Sequence, residues 1–246
     1  APCASILARD NDIKEIRLAD IDLNICKKVA SKIGSPKIKP IQADASDVDE
    51  IVNAAKGVDV IIDLVTPVFF VNIMKAALKV NAHYVNTAWE EYLYEGYEEN
   101  DVKLGAKLKM HDDFAQKGLT AILGCGMTSG FASNVLVRYY SDKLDTVESV
   151  RLRLAKKDIS ISDEEEIIHP WNPGWNPRQA ILDFVIPSYV FRNGEYVRLD
   201  KPFAEPELWD FPEPIGRTLV SHHSHEEPFC IPHLLAKKLK QSDMKA

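Results

Sequence analysis

Glycine, paired cysteine and basic charge are all in short supply in this 246-residue sequence. Eleven glycines fall below the roughly 7% usual in globular chains, and no Gly-x-Gly-x-x-Gly stands near the N-terminus to cradle a phosphate. The four cysteines, Cys3, Cys26, Cys125 and Cys230, are far apart and form no Cys-x-x-Cys pair. That spacing excludes a disulfide scaffold or a zinc ribbon and points to a reducing, cytoplasmic compartment. Thirty basic against thirty-seven acidic side chains leave a net charge of -7 and a pI near 5.5, so neither nucleic acid nor an anionic membrane finds a basic surface. The longest apolar stretches, such as Val58 to Val65, fall well short of the about 20 residues a bilayer span needs. No initiating Met and no signal peptide opens the chain, so Ala1 reads as a cut end of an incomplete protein.

What is present is periodicity. From Ile6 to Gly130, short β-branched runs alternate with helical patterns, the signature of βαβ units and a parallel sheet. Five strands are expected in one sheet: Glu15–Asp20, Ile38–Gln42, Val58–Val65, Tyr84–Thr87 and Leu119–Leu123. Helices are expected over Asp22–Ile33, Asp47–Lys56, Phe69–Lys79, Tyr97–Lys117 and Ser129–Ser141, with Gly34, Gly57 and Gly118 as stops. After about Leu144 the run Val147–Leu154 alternates as a half-buried strand does, and antiparallel pairing is expected there. Asn193-Gly194 between Tyr189-Val-Phe and Tyr196-Val-Arg-Leu signals a hairpin. The expected fold class is therefore α/β, a Rossmann-like doubly wound parallel sheet with a second α+β domain containing a mostly antiparallel sheet. The expected boundaries are 1–143 for the dinucleotide-binding domain and 144–246 for a substrate and dimerisation domain.

A doubly wound dinucleotide fold opens strand, Gly-rich turn, helix, and places an acid about 20 positions on, at the end of the second strand. Here Asp20 closes the run Glu15–Ala19, and counting back puts the glycine turn and first strand before Ala1. A carboxylate there accepts from both ribose hydroxyls and repels a 2′-phosphate, so NAD is favoured over NADP. Asp44 and Ala45 follow the next strand, although an N-cap by Asp44 or Ser46 explains those letters equally well. Thr66-Pro67 and Thr87 end two further strands, where open α/β sheets bind ligands. Gly124-Cys-Gly126-Met127-Thr-Ser-Gly130 lets backbone approach a flat ring such as nicotinamide.

Leu7-Ala-Arg-Asp10, Ala19-Asp-Ile-Asp22, Gln42-Ala-Asp-Ala-Ser46, His83-Tyr-Val-Asn-Thr87 and Gly124–Gly130 together carry a resemblance to the saccharopine dehydrogenase family. It extends through Trp175-Asn-Pro177, Phe211–Gly216 and His225-Glu-Glu-Pro228. The resemblance implies an NAD(P)-dependent oxidoreductase acting on the CH–NH bond of an amino acid or polyamine, a homodimer, and missing segments at both ends. This chain departs from the family pattern at Gly126-Met-Thr-Ser-Gly130, where Gly-Phe-x-Pro-Gly is common, and at Asn86, where Asp is common. The alternatives are a carboxynorspermidine dehydrogenase-type polyamine enzyme or a non-catalytic dinucleotide-binding scaffold, and the fragment itself is open to being inactive.

Reductive C–N bond formation needs a proton donor, carboxylate or amine clamps and a hydride source. In Ser221-His-His-Ser-His-Glu-Glu227 the catalytic candidates are His223, His225 and Glu226, with Arg178 and Arg217 as carboxylate partners and Trp175 as a pocket wall. On a strand His223 and His225 would share a face, suiting a substrate pocket or a metal pair, but no second His/Cys cluster exists, so no metal is expected. Edge-strand histidines and a packing tryptophan are the plainer accounts. The expected active site lies in the cleft between the two domains.

Overall fold

The computed structural model describes residues 2–87, 108–128, 130–157, 176–235 and 239–246. The chain folds as two compact units, one of Ala1–Thr87 with the segment ending at Leu123, the other holding Gly124–Ala246.

In the first unit, α1 (Pro2–Leu7) leads to β1 (Ile16–Asp20), α2 (Leu23–Ile33), β2 (Ile38–Gln42), α3 (Val48–Ala55), β3 (Val60–Asp63), α4 (Phe70–Val80), β4 (His83–Asn86), α5 (His111–Gln116) and β5 (Ala121–Ile122). Asp22 caps α2 by accepting from the Asn24 amide, and Gly34 ends it at φ 69°. That left-handed stop is cheap only without a Cβ, and it turns the chain back toward β2. Ile73, Met74, Ala76 and Ala77 of α4 pack with Ile51, Tyr84 and Phe114 into the core. The two alanines bring the helix close to the sheet, and Tyr84 is wholly buried.

Every strand pair in this unit is parallel, in register Ile16↔Ile38 through Asp20↔Gln42, and Val60↔His83 through Asp63↔Asn86. The strands do not form the single sheet expected, however. β1 pairs β2 in one sheet and β3-β4-β5 form another, with no ladder between β1 and β3. The doubly wound order 3-2-1-4-5 sets one strand between two such groups, the strand that carries the Gly-rich turn. Of the helix expected from Tyr97, the described part is a 3₁₀ turn over Leu108–Met110 and then α5; the rest lies outside the described residues.

The second unit opens with a π turn over Phe131–Val135, then α6 (Leu136–Ser141), β6 (Ser149–Arg153), α7 (Pro177–Val185), β7 (Ser188–Arg192), β8 (Glu195–Leu199), β9 (Ala204–Asp210), β10 (Arg217–His222), α8 (Glu227–Leu234) and β11 (Gln241–Lys245). The sheet runs β8-β7-β11-β10-β9, with β6 also on β11. The hairpin forms as its letters predict, Asn193 at φ 52° and Gly194 at φ 85° matching a type I′ turn. The expectation of antiparallel pairing fails at one strand: β6 runs parallel to β11. Alternation reveals which face a strand buries and says nothing of its direction, and the partner of β6 lies about 90 residues downstream. Arg153, 5% exposed on β6, fixes this pairing by bonding Asp243 of β11 and Glu207 of β9. Among the described residues no helix is long and apolar enough to cross a membrane.

Candidate functional site

In the first unit the carboxyl ends of the parallel strands gather the polar residues that the sequence marks. Asp20 closes β1, and its Oδ1 accepts from the Asp22 amide at 3.0 Å, which shapes the turn into α2. A carboxylate oxygen has lone pairs to spare after one such bond. The acceptor that ribose hydroxyls require is thus present at the position a dinucleotide fold uses. Asp44 accepts from the Ser46 amide at 2.8 Å, and its bonds to Ser46 hold its carboxyl below the ordinary range. Neither Asp44 nor Ser46 caps α3, however. Asp47 does so, accepting from the amides of Asp49 and Glu50. Ala45 presents its carbonyl to Asn72 Nδ2 at 3.4 Å.

Thr66 and Pro67 start a 3₁₀ turn into α4, and Thr66 makes no side-chain cap bond. Beneath that turn lies a buried polar group absent from the sequence reading. Asp63, 2% exposed, accepts from the Tyr84 hydroxyl at 2.7 Å and from the Val65 amide at 3.1 Å, while Asn86 Nδ2 donates to the same hydroxyl at 3.1 Å. Parallel register sets Asp63 beside Asn86, and Thr87 follows directly.

Gly124, Gly126 and Met127 belong to a tight loop in the second unit. Gly124 sits at φ 65°, and Gly126 bridges Gly130. The Phe131 amide donates to Gly126 O at 3.0 Å and the Ala132 amide to Met127 O at 2.7 Å. A Cβ on Gly130 would run into the carbonyl oxygens of Gly124 and Gly126, so only glycine closes this loop. The Met127 side chain is exposed at the loop tip.

His223 and His225 come after β10 ends at His222, so they are on a loop and not on a strand face. Their rings still lie 5.1 Å apart. His223 stacks on Phe184 of α7, and burial pushes its pKa well below the usual imidazole value, so it is a neutral packing ring. His225 differs. Its Nδ1 meets Glu226 Oε2 at 3.1 Å and bonds Glu227 Oε2, and both glutamates are buried at the start of α8. A helix N-terminus favours carboxylates, which is why two acids can sit at so little exposure. Glu227 Oε1 accepts from Ser133 Oγ at 2.8 Å.

The sequence reading missed four members of this group: Glu227, Ser133, Gln179 and Asp183. Asp183 is 3% exposed, accepts from Gln179 Nε2 at 2.8 Å, and its backbone carbonyl accepts from the Ser224 amide at 2.6 Å. Burial, reinforced by the charge of Glu226, pushes the Asp183 pKa up to about 7, against the pull of Gln179 and His225. A signal existed, since Gln179 and Asp183 stand at i and i+4 around the apolar Ala180. Burial pushes the nearby Cys230 thiol well up as well, and the Glu226 and Glu227 charges add to this, so it is no nucleophile. The atoms of His225, Glu226 and Glu227 lie within 4.8 Å of one another, but the ring Nδ1 and the carboxylates bond each other, which is a proton-holding arrangement.

The structure does not bring both expected arginines to this cluster. Arg217 begins β10, five residues and about 17 Å of strand from His222, and pairs loosely with Asp210 at 3.7 Å. Arg178 is exposed in the first turn of α7, where its amide donates to the Asn176 cap. Trp175 lies outside the described residues.

Among known proteins, residues 1–122 match the saccharopine dehydrogenase NADP binding domain family. A carboxyaminopropylagmatine dehydrogenase of Synechocystis sp. is 32% identical over 133 residues, covering 52% of this chain and 31% of that protein. A carboxynorspermidine synthase of Vibrio cholerae is 25% identical over 234 residues, covering 89% of this chain and 54% of that protein. Apo saccharopine dehydrogenase (L-Glu forming) from Saccharomyces cerevisiae superposes with a TM-score of 0.68 at 16% identity, covering 99% of this chain and 52% of that one. Homospermidine synthase from Legionella pneumophila, solved with NAD, gives 0.60 at 14% identity over 89% of this chain and 56% of that one. The chain therefore spans about half the length of these proteins, and less of the first. At such identities the two solved structures establish the fold, a Rossmann-like α/β unit followed by a curled, mostly antiparallel sheet.

Proposed function

We propose, for a chain whose residues 1–122 belong to the saccharopine dehydrogenase NADP binding domain family, that it serves an NAD(P)-dependent oxidoreductase acting on the CH–NH bond of an amino acid or polyamine-type substrate. The observation that carries this reading is the family match laid over parallel strand ends that hold Asp20, Asp44, Ala45, Thr66, Pro67 and Thr87. A bound nicotinamide dinucleotide supplies or accepts the hydride. Asp20 is the ribose reader and favours NAD, and Gly124, Gly126 and Met127 offer backbone to the nicotinamide end. The strand that would join the two parallel sheets, with its Gly-rich turn, is not among the described residues.

On the substrate side, His225 is the group that moves a proton at the reacting nitrogen, its Nδ1 held by Glu226 and Glu227. Glu226 assists as a buried carboxylate, and His223 walls the cluster as a neutral ring. Arg178, Arg217 and Trp175 remain proposals for substrate contact, with Arg217 the weakest because it stands at the far end of β10.

The polyamine reading gains from two relatives, whose names describe carboxyaminopropylagmatine and carboxynorspermidine chemistry. A site rich in buried acids suits a cationic amine better than a second carboxylate. We also propose a cytoplasmic homodimer, in keeping with four free cysteines; light scattering should then read twice 27.7 kDa.

The test is fluorescence titration of NADH and NADPH, followed by an amine scan with saccharopine, lysine and carboxynorspermidine. Turnover that falls by about 10²-fold or more in His225→Asn supports the reading. Tight cofactor binding with no turnover on any amine favours a scaffold, and no binding by protein of the relatives' full length overturns the cofactor assignment.

A further inference from the structure

We propose that Glu227 is the positioning residue of this site, fixing the orientation and tautomer of His225, and that Ser133 couples this carboxylate to the glycine loop. The proposal rests on the reading of His225 as the proton-transfer group, and it adds to that reading the tautomer of the ring and the part played by Ser133.

Glu227 is wholly buried in the first turn of α8, so its backbone is fixed by the helix and both its oxygens must find donors. They find two. Oε2 faces His225 Nδ1, and Oε1 faces Ser133 Oγ at 2.8 Å. With Oε2 as the acceptor of this bond the imidazole supplies the proton: His225 carries hydrogen on Nδ1, and the lone pair of the neutral ring falls on Nε2. Glu226 Oε2, 3.1 Å from the same Nδ1, enforces the same choice. Free imidazole in water leans the other way only slightly, so two carboxylates on one nitrogen decide the tautomer. The charged and titratable groups that face the ring are Glu226 and Glu227 at the start of α8, Asp183 of α7, and the neutral His223.

Ser133 supplies the link to the loop. It lies in the π turn closed by Val135 N donating to Gly130 O at 3.1 Å and by Ala132 N donating to Met127 O. Its hydroxyl holds one proton and faces two acceptors, Thr128 O and Glu227 Oε1. A shift of the Gly124–Gly130 loop toward or away from Ser133 therefore changes how firmly Glu227 is held, and through it His225. Three contacts stand between loop and proton-transfer group, from Thr128 O to Ser133 Oγ, from Ser133 Oγ to Glu227 Oε1 and from Glu227 Oε2 to His225 Nδ1. Both belong to the second unit, so the coupling needs nothing from the first.

The deciding measurement is long-range ¹H–¹⁵N correlation NMR on histidine-labelled protein, with the His225 signals assigned by His225→Asn and recorded on the neutral ring. The expected result is an Nδ1–H tautomer in the wild type, retained in Glu227→Gln, whose amide oxygen still accepts, and lost to Nε2–H or a mixture in Glu227→Ala. Ser133→Ala should broaden or mix the His225 signal while thermal unfolding stays cooperative. A wild-type ring protonated on Nε2, or a Glu227→Ala ring unchanged from wild type, overturns the proposal. If Glu227→Ala does not fold, the wild-type tautomer and the Ser133→Ala spectrum decide the matter alone. Turnover is read separately: full activity in His225→Asn would sink the catalytic reading and leave the tautomer result to judge the positioning role.

Discussion

Asp183 shows how far one side chain can be moved by its surroundings. Its folded pKa of about 7 lies above the ordinary 3.8 because burial disfavours the charged form. Between these values the folded protein keeps a proton that the unfolded chain has released. The stability this gives is complete below about pH 4 and is lost as the pH rises toward 7. Asp183→Asn removes that proton from the balance, so urea unfolding of the variant should lose less stability between pH 4 and 7 than wild type does, by roughly 1–4 kcal/mol. Equal slopes would show that the carboxyl ionises as usual. Gly130 is a second such residue. In Gly130→Ala the added carbon meets two carbonyl oxygens, so the loop must open, and NADH should bind at least about tenfold more weakly while the Asp63, Tyr84 and Asn86 contacts stay intact. Unchanged affinity would remove the loop from the cofactor site.

Among the elements, those with local signals formed where the letters place them. Asp22 caps α2 and Gly34 stops it in the left-handed conformation, whereas the cap of α3 falls on Asp47 and not on the expected Asp44 or Ser46. Asn193-Gly194 turns β7 into β8. Because Gly194 sits at φ 85°, Gly194→Ala should cost about 1 kcal/mol in urea unfolding, and Asn193→Gly should cost little. What the letters left open was pairing. The alternation of Val147–Leu154 is real, yet β6 joins β11 in parallel, where the Arg153 contact with Asp243 holds it. Arg153→Ala leaves the buried Asp243 without its cation, while Glu207 keeps Lys245 at 3.1 Å, and should destabilise by about 3–5 kcal/mol, whereas Arg153→Met with Asp243→Leu should recover much of that. Similar losses in both would mean that the ion pair matters less than the packing of the arginine stem.

At the scale of the molecule, the net charge of -7 sets a field that draws cations and repels anions. A polyamine-type substrate should therefore show a KM that rises with added salt, and a dicarboxylic amino acid a KM that falls, because screening weakens the long-range interaction in each case. Steady-state kinetics at low and high ionic strength separates the two substrate classes without any variant. A KM indifferent to salt for every amine would leave the choice to the pocket alone.

The sequence by itself determined the elements whose causes are local: the alternating strand and helix pattern of the first unit, the caps, the left-handed glycine stops and the hairpin turn. It also put Asp20 at a strand end, and brought His225 and Glu226 into view through their place in a short polar run. Tertiary structure alone decided which strands are neighbours, dividing five expected strands into two sheets and turning β6 parallel to β11. It decided too that Glu227 bonds both His225 and Ser133, that Asp183 joins the cluster from a distant helix, and that Arg217 does not. The reason is range. Caps and turns are set by hydrogen bonds and φ preferences within a few residues. Burial, pairing direction and the meeting of charges depend on contacts that exist only once distant segments have packed, and a buried carboxylate looks like any other acid until its neighbours remove the water.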